Sequence, residues 1–326
     1  MIAVSTGWRS GRIRNGERLL DALAEVGARE IELEYRMSER MLRQMSGRLG
    51  MGDIRVSSVH NFFPIPRVLP PRLPGGDVFN FAATDERERK LAVRFGIRSM
   101  KKAAQLGAKA VVFHMNKVPM PNGTRELKAF YDRGALDSPE AGRLRAELLA
   151  ARRKGAREPF DRVLASIEDL AEAAREIGVL VGLENRYHRT EIPDFEEFVA
   201  IFERFPDAPV AYWHDIGHAF VQDRFGFGSH LKLLESFGSR MAGIHVHDVV
   251  GYDDHWAPGT GEVDFSEIAP HVPLRAIRVL EAHSKVSSRE LAESMSFVRR
   301  VGLACHDMCG GTGERGRGDR AAGRGP

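Results

Sequence analysis

The feature that most constrains this chain is an alternation. Eight short apolar or β-branched runs recur along it, at residues 2–5, 30–33, 55–60, 110–114, 180–184, 210–215, 242–247 and 277–281. Helical patterns separate most of them, at residues 16–26, 38–49, 85–106, 160–177, 195–205, 230–237 and 288–301. In the stretch 160–177, Val163, Leu164, Ile167, Leu170, Ala171 and Ala174 recur at helical spacing, which gives one apolar face. Gly27, Gly107 and Gly178 each stand between a helical run and a strand, where a left-handed C-terminal residue is expected. Strands alternating with helices imply a parallel sheet. Eight such units, with no G-x-G-x-x-G after the first strand, favour a closed (β/α)₈ TIM barrel over an open dinucleotide-binding sheet.

A barrel of this kind accommodates 326 residues as a single domain. The barrel is expected over residues 1–303, followed by a disordered Gly/Arg-rich tail at 304–326 that is too poor in apolar residues to fold. No run of 18 apolar residues predicts a membrane span. The first residues carry no basic segment leading into a long apolar stretch, so a cytoplasmic protein without a secretory leader is expected. The two cysteines, Cys305 and Cys309, cannot make a disulfide scaffold and read as free thiols. Net charge is +3, of which residues 310–326 contribute +2. The folded body is therefore nearly neutral, which argues against a nucleic-acid partner.

Two connections are long. Residues 61–84 hold five prolines, and residues 115–159 hold ten Lys or Arg against six acids. Both follow the C-terminal end of a strand and so hang over the catalytic mouth, either as a lid or as a solvated insertion.

Chemistry concentrates at the ends of the runs. His60 closes the third, His114 the fourth, Glu184 the fifth, Asp215 the sixth and Glu281 the eighth. His245 and His247 lie on the seventh, with Asp253 and His255 just beyond, and His218 follows Asp215 by one helical turn. A parallel barrel gathers all these ends on one rim. Any one of them alone reads as a satisfied polar residue or a helix cap. Together they form an imidazole and carboxylate set suited to Zn²⁺, Mn²⁺, Co²⁺ or Mg²⁺, and a cation would offset the crowding of so many carboxylates.

These residues resemble the xylose isomerase-like TIM barrel superfamily, which includes sugar phosphate isomerases and epimerases and the endonuclease IV family. The resemblance rests on Leu183-Glu184-Asn185, Asp215-Ile216-Gly217-His218, His245-Val246-His247-Asp248, Asp253-x-His255 and Pro258-Gly259-x-Gly261. The epimerase pattern implies one ion on Glu184, Asp215, His245 and Glu281, with Glu184 and Glu281 as the catalytic pair that moves a proton beside a carbonyl. The endonuclease pattern implies two or three ions and a phosphoester substrate, and it would add His60, His114, His218, Asp253 and His255 as ligands. The wording around Asp215 and Arg186 is closer to the isomerases. The resulting expectation is a metal-dependent sugar or sugar phosphate isomerase or epimerase, with a multinuclear phosphoesterase as the alternative. A small carbohydrate is the expected partner, a homo-oligomer is left open, and His218, Arg186, His247 and Trp8 are the expected substrate contacts.

Overall fold

A computed structural model describes residues 2–70 and 73–304. The tail predicted from residue 304 onward, with Cys305 and Cys309, otherwise lies outside the described residues. In chain order the strands are β1 (Ala3–Ser5), β2 (Glu30–Leu33), β3 (Arg55–His60), β4 (Ala110–Phe113), β5 (Leu180–Glu184), β6 (Val210–Asp215), β7 (Met241–Val246), β8 (Asp248–Val250), β9 (Asp253–Trp256) and β10 (Ile277–Leu280). Eight of them close a parallel barrel in the order β1-β10-β7-β6-β5-β4-β3-β2, as the alternation predicts. The other two, β8 and β9, form an antiparallel hairpin in the connection after β7, which the sequence pattern did not reveal.

Around the barrel run α1 (Gly7–Ser10), α2 (Gly16–Glu25), α3 (Glu39–Met51), α4 (Glu86–Gln105), α5 (Thr124–Asp132), α6 (Pro139–Gly155), α7 (Arg157–Ile177), α8 (Phe195–Arg204), α9 (Ile216–Arg224), α10 (His230–Phe237), α11 (Phe265–Ile268) and α12 (Ser288–Arg300). The three glycines marked as helix stops have φ of 86° at Gly27, 75° at Gly107 and 81° at Gly178, where a side chain would be strained. None of the described helices is long and apolar enough to cross a membrane.

Strand periodicity decides what faces the barrel axis. Alternate residues point to one face, so Ala3, Ala110, Val112, Trp213 and Val279 pack together as a buried inner layer. Two residues further along the same strands come Ser5, His114, Asp215 and Glu281, at the C-terminal rim. The axis is thus apolar at depth and carries histidines and carboxylates at the mouth. The Trp213 indole fits only because its neighbours are glycines. A Cβ on Gly243 would stand 2.3 Å from the Trp213 ring, and one on Gly182 would stand 3.0 Å from it.

The connection at 115–159 is neither a bare loop nor a solvated insertion. Its helices α5 and α6 supply Leu127 and Leu148 to a second apolar cluster with Val221, Phe225 and Val249, from α9 and β8. Arg152 pins α6 to the barrel, donating to the Thr190 carbonyl at 3.0 Å and to Glu197 at 2.6 Å. The insertion is a packed wall beside the mouth.

A buried polar chain stands behind β5 and β6. Asn185 Nδ2 donates to the Asp215 carbonyl at 2.9 Å, which makes Oδ1 the acceptor for the Tyr212 hydroxyl at 3.0 Å. The Tyr212 oxygen then accepts from His214 Nδ1 at 2.7 Å, leaving His214 Nε2 to accept from His230 Nε2 at 2.9 Å. This order requires the His214 imidazole to be neutral, since its Nε2 accepts. Burial, with His230 adjacent, holds His214 well below its ordinary value, and burial holds His230 at about 4. An unfolded chain takes up the His230 proton below about pH 6.5, whereas the folded one refuses it until about pH 4, so the difference works against folding as pH falls. Between pH 7 and pH 5 the wild type should therefore lose about 2 kcal/mol more unfolding free energy than His230→Gln, read from urea titrations. Parallel pH curves for the two proteins would show that His230 is charged in the folded state.

Candidate metal centre

Rim residues from five strands meet around the imidazole of His245, which is fully buried at the end of β7. Its Nδ1 lies 2.8 Å from Glu184 Oε1, 3.0 Å from Glu281 Oε2 and 3.5 Å from Asp215 Oδ2. Its Nε2 lies 3.2 Å from Glu32 Oε1, and Ser58 donates to the other Glu32 oxygen at 2.8 Å. One imidazole is thus held by four carboxylates. In Glu184, Asp215, His245 and Glu281, one donor atom of each lies within 4.8 Å of all the others.

Three further donor groups adjoin this one, the third being His247, His255 and Glu281. His60, His114 and Glu184 form the first, with His114 Nε2 2.8 Å and His60 Nε2 3.5 Å from Glu184 Oε2. The second is His218, Asp254 and His255, with the Asp254 carboxylate 3.8 Å from His218 Nε2 and 3.7 Å from His255 Nε2. Here the spacing argument misplaced one residue. Asp253 is not in the cluster, because its carboxylate turns outward to Lys285 and to the Trp256 indole, and Asp254 takes the inner position. Strict alternation would put Asp253 on the face of His255, but His255 has a left-handed backbone, φ 57°, in an irregular hairpin, so the adjacent Asp254 and His255 both face the cluster.

Three other expected contacts are engaged elsewhere. The Arg186 guanidinium is 3.2 Å from Glu184 Oε2, 2.8 Å from Glu191 and 3.6 Å from Asp77, so its charge is spent on carboxylates rather than open to a substrate phosphate. His247 Nε2 bridges both Asp215 oxygens at 3.0 and 3.1 Å, and its Nδ1 accepts from the His255 amide at 2.9 Å. Trp8 is wholly buried and donates its indole N–H to the Val286 carbonyl at 2.8 Å. His218 remains at the mouth, with Nδ1 3.1 Å from the Asn185 carbonyl.

The electrostatics follow from this packing. Burial opposes the charge on Glu184, yet His245 and the hydrogen bonds from His114 and His245 hold it well below the usual carboxylate range. Asp215 is likewise held low against burial, by His218 and His247. Glu281 goes the other way. Burial pushes it up to about 8 despite His245, with Glu184, Asp215 and Glu32 adding repulsion. Burial and Arg186 pull His114 down, but Asp77 and Glu184 carry it up to about 9. Four carboxylates converge on the single imidazole of His245, an electrostatic environment that favours a divalent cation.

Several residues in this network carried no motif. Glu32 and Asp77 orient His245 and His114. Glu34 accepts from Ser10 and pairs with Arg36 at 3.0 Å, while His283 stacks on His255 with centroids 3.8 Å apart. Glu32 had a legible signal in Glu30-Ile31-Glu32-Leu33-Glu34, where alternation puts three acids on one face of an otherwise buried strand.

Comparison with known proteins places this geometry. Among solved structures, a D-tagatose 3-epimerase-like protein matches at 18% identity over 92% of this chain and 96% of that one, with a TM-score of 0.60. The 3-keto-D-glucoside 4-epimerase YcjR of E. coli matches at 14% identity over 92% and 98%, with a TM-score of 0.63. A D-psicose 3-epimerase of Clostridium cellulolyticum H10, solved with D-tagatose, matches at 15% identity over 93% and 99%, with a TM-score of 0.62. At these identities the likeness is one of fold. An uncharacterized protein of Methanocaldococcus jannaschii is 25% identical over 198 residues, 58% of this chain, and the match spans about half of that relative, 55% of its length. Residues 20–300 match the family described as Xylose isomerase-like TIM barrel, and with the closed barrel and its rim of histidines and carboxylates the chain belongs to that family.

Proposed function

We propose that this chain is a metal-dependent isomerase or epimerase of a small sugar or sugar phosphate. One observation carries the reading: Glu184 and Glu281, from strands on different sides of β7, converge on the same nitrogen of His245 at 2.8 and 3.0 Å. Two carboxylates so placed flank a substrate carbon bound between them. One takes the proton beside the carbonyl and the other returns it, on the same or the opposite face. The D-tagatose 3-epimerase-like protein, the 3-keto-D-glucoside 4-epimerase and the D-psicose 3-epimerase that share the fold support the same chemistry.

Glu184, Asp215, His245 and Glu281 fit a divalent ion in donor type and spacing. Such an ion, when bound, supplies Lewis acidity to the carbonyl and neighbouring hydroxyl oxygens. The protein's own residues do the rest. Glu32 fixes His245 so that Nδ1 faces the carboxylates. Arg186 balances the charge on Glu184, and His247 orients Asp215. His218 stands where a substrate hydroxyl would be bound.

The reading is tested by solvent deuterium exchange on a panel of ketoses and keto-glycosides with Mn²⁺, Co²⁺, Zn²⁺ or Mg²⁺. Deuterium should enter at the carbon beside the carbonyl. Glu184→Gln and Glu281→Gln should each slow this by about 10²–10⁴-fold. Wild-type rates in Glu281→Gln, or no exchange on any member of the panel, would overturn it. A separate expectation concerns affinity: Glu32→Gln should raise the metal dissociation constant about 10–100-fold in chelator competition. An unchanged constant would show that His245 does not depend on Glu32.

A second reading is favoured by the adjoining donor groups, among them His60–His114–Glu184 and His218–Asp254–His255. With two or three ions the rim would activate water for phosphoester hydrolysis. Metal analysis separates the two, since one ion per chain matches the epimerase and two or three match a hydrolase, with bis-p-nitrophenyl phosphate as the substrate to try.

A further inference from the structure

A cavity of about 650 Å³ opens behind the site, between the α6–α7 junction, residues 185–193, the start of α8, and α9 with α10. None of the proposed metal donors lines it. Asn185 and Arg186 separate it from the metal cluster, so it is a different compartment.

Its walls have two characters. Leu149, Phe160, Phe195, Phe227 and Leu233 present half-buried apolar surface to it. A concave apolar surface of this volume is the ordinary form of a small-molecule site. The charges around it do not cancel. Glu191 pairs with Arg186 at 2.8 Å, Asp194 with Arg189 at 2.8 Å and Glu197 with Arg152 at 2.6 Å. With those acids engaged, Arg153, Arg157 and Lys232 line the cavity with no carboxylate partner among the described residues, and Glu196 alone opposes them. Lys232 lies over the Phe195 ring at 4.0 Å, which sets cation and apolar face side by side.

The buried wall gives an independent indication. Arg152 is only 2% exposed; its Nε lies 3.6 Å from the Asp194 carboxylate, and that atom, like the Nε atoms of Arg186 and Arg189, has no hydrogen-bond partner. Buried donors left unpaired are costly and call for an acceptor. The chain's own tail has the wrong sign for this role, with four arginines and two acids over residues 310–326.

We infer that this cavity is a second ligand site, for a small organic anion with an apolar body and a carboxylate or phosphate head. The body lies against Phe160, Phe195 and Leu233, and the head meets Arg153, Arg157 and Lys232. This assignment holds whichever reaction the metal centre performs.

The test uses 8-anilinonaphthalene-1-sulfonate, an anionic group on a flat apolar body, with the full-length protein. Saturable binding at one site per chain is expected. Phenyl phosphate and decanoate should compete, and the stronger competitor identifies the head group. Arg153→Glu with Arg157→Glu should weaken the probe at least about tenfold. The matched reversal Arg94→Glu with Lys101→Glu, in the separate groove between α4 and α7, should leave it within about twofold. Catalytic exchange should be unchanged in both variants when no anion is added. Absence of saturable binding, failure of both competitors, or equal weakening by the two reversals would overturn the inference.

Discussion

The His245 imidazole, enclosed by Glu32, Glu184, Asp215 and Glu281, is the contact on which the rest of the mouth depends. Four carboxylates in so small a volume repel one another and lose their water. An imidazole with an N–H toward Glu32 gives partial relief, and the cationic neighbours supply more. The surrounding architecture continues this compensation. Arg186 neutralises Glu184 from one side and His114 from another, while His247 spans Asp215. Each of those groups is then held by a partner further out: Asp77 and Glu191 for Arg186, Asp77 again for His114, the His255 amide for His247. Each of these side chains has a partner, and the carboxylates gathered on the one His245 imidazole suit the centre to a cation.

The barrel makes such a concentration affordable. Apolar side chains fill its axis below the rim, and the helices bury the outer faces of the strands. The strand ends can then carry groups that no isolated strand or helix would hold close together. The packed insertion of α5 and α6 serves the same purpose from outside. It is tied to the loop after β5 through Arg152 and the Thr190 carbonyl, and with α8 to α10 it encloses a second cavity on the far side of that loop.

Much of the fold was legible because strand and helix periods are local. The eight barrel strands lie where β-branched runs predicted them, within a residue or two, and the glycine stops have the left-handed backbone that their position required. Helices α5 and α6 and the β8–β9 hairpin were not legible. Their stability comes from Leu127, Leu148 and Val249 packing on α9 and on one another, contacts between segments far apart in the chain. Asp253 shows the limit at the site itself. The Asp-x-His spacing drew attention to the correct hairpin, but which of two adjacent acids faces inward depends on the irregular pairing with Asp248 and Val250 and on the left-handed backbone at His255, which break the alternation.

The sequence by itself determined the residue types, their order, and the alternation that obliges eight strand ends to share a rim. It thereby determined that histidines and carboxylates meet there. Only the tertiary structure decided how each one is used: that Arg186 and His247 are consumed by neighbouring acids, that Trp8 is sealed below the surface, and that Glu32 backs His245. Such assignments are settled by distances of a few ångströms between residues up to 278 positions apart, and no local pattern in the chain encodes them.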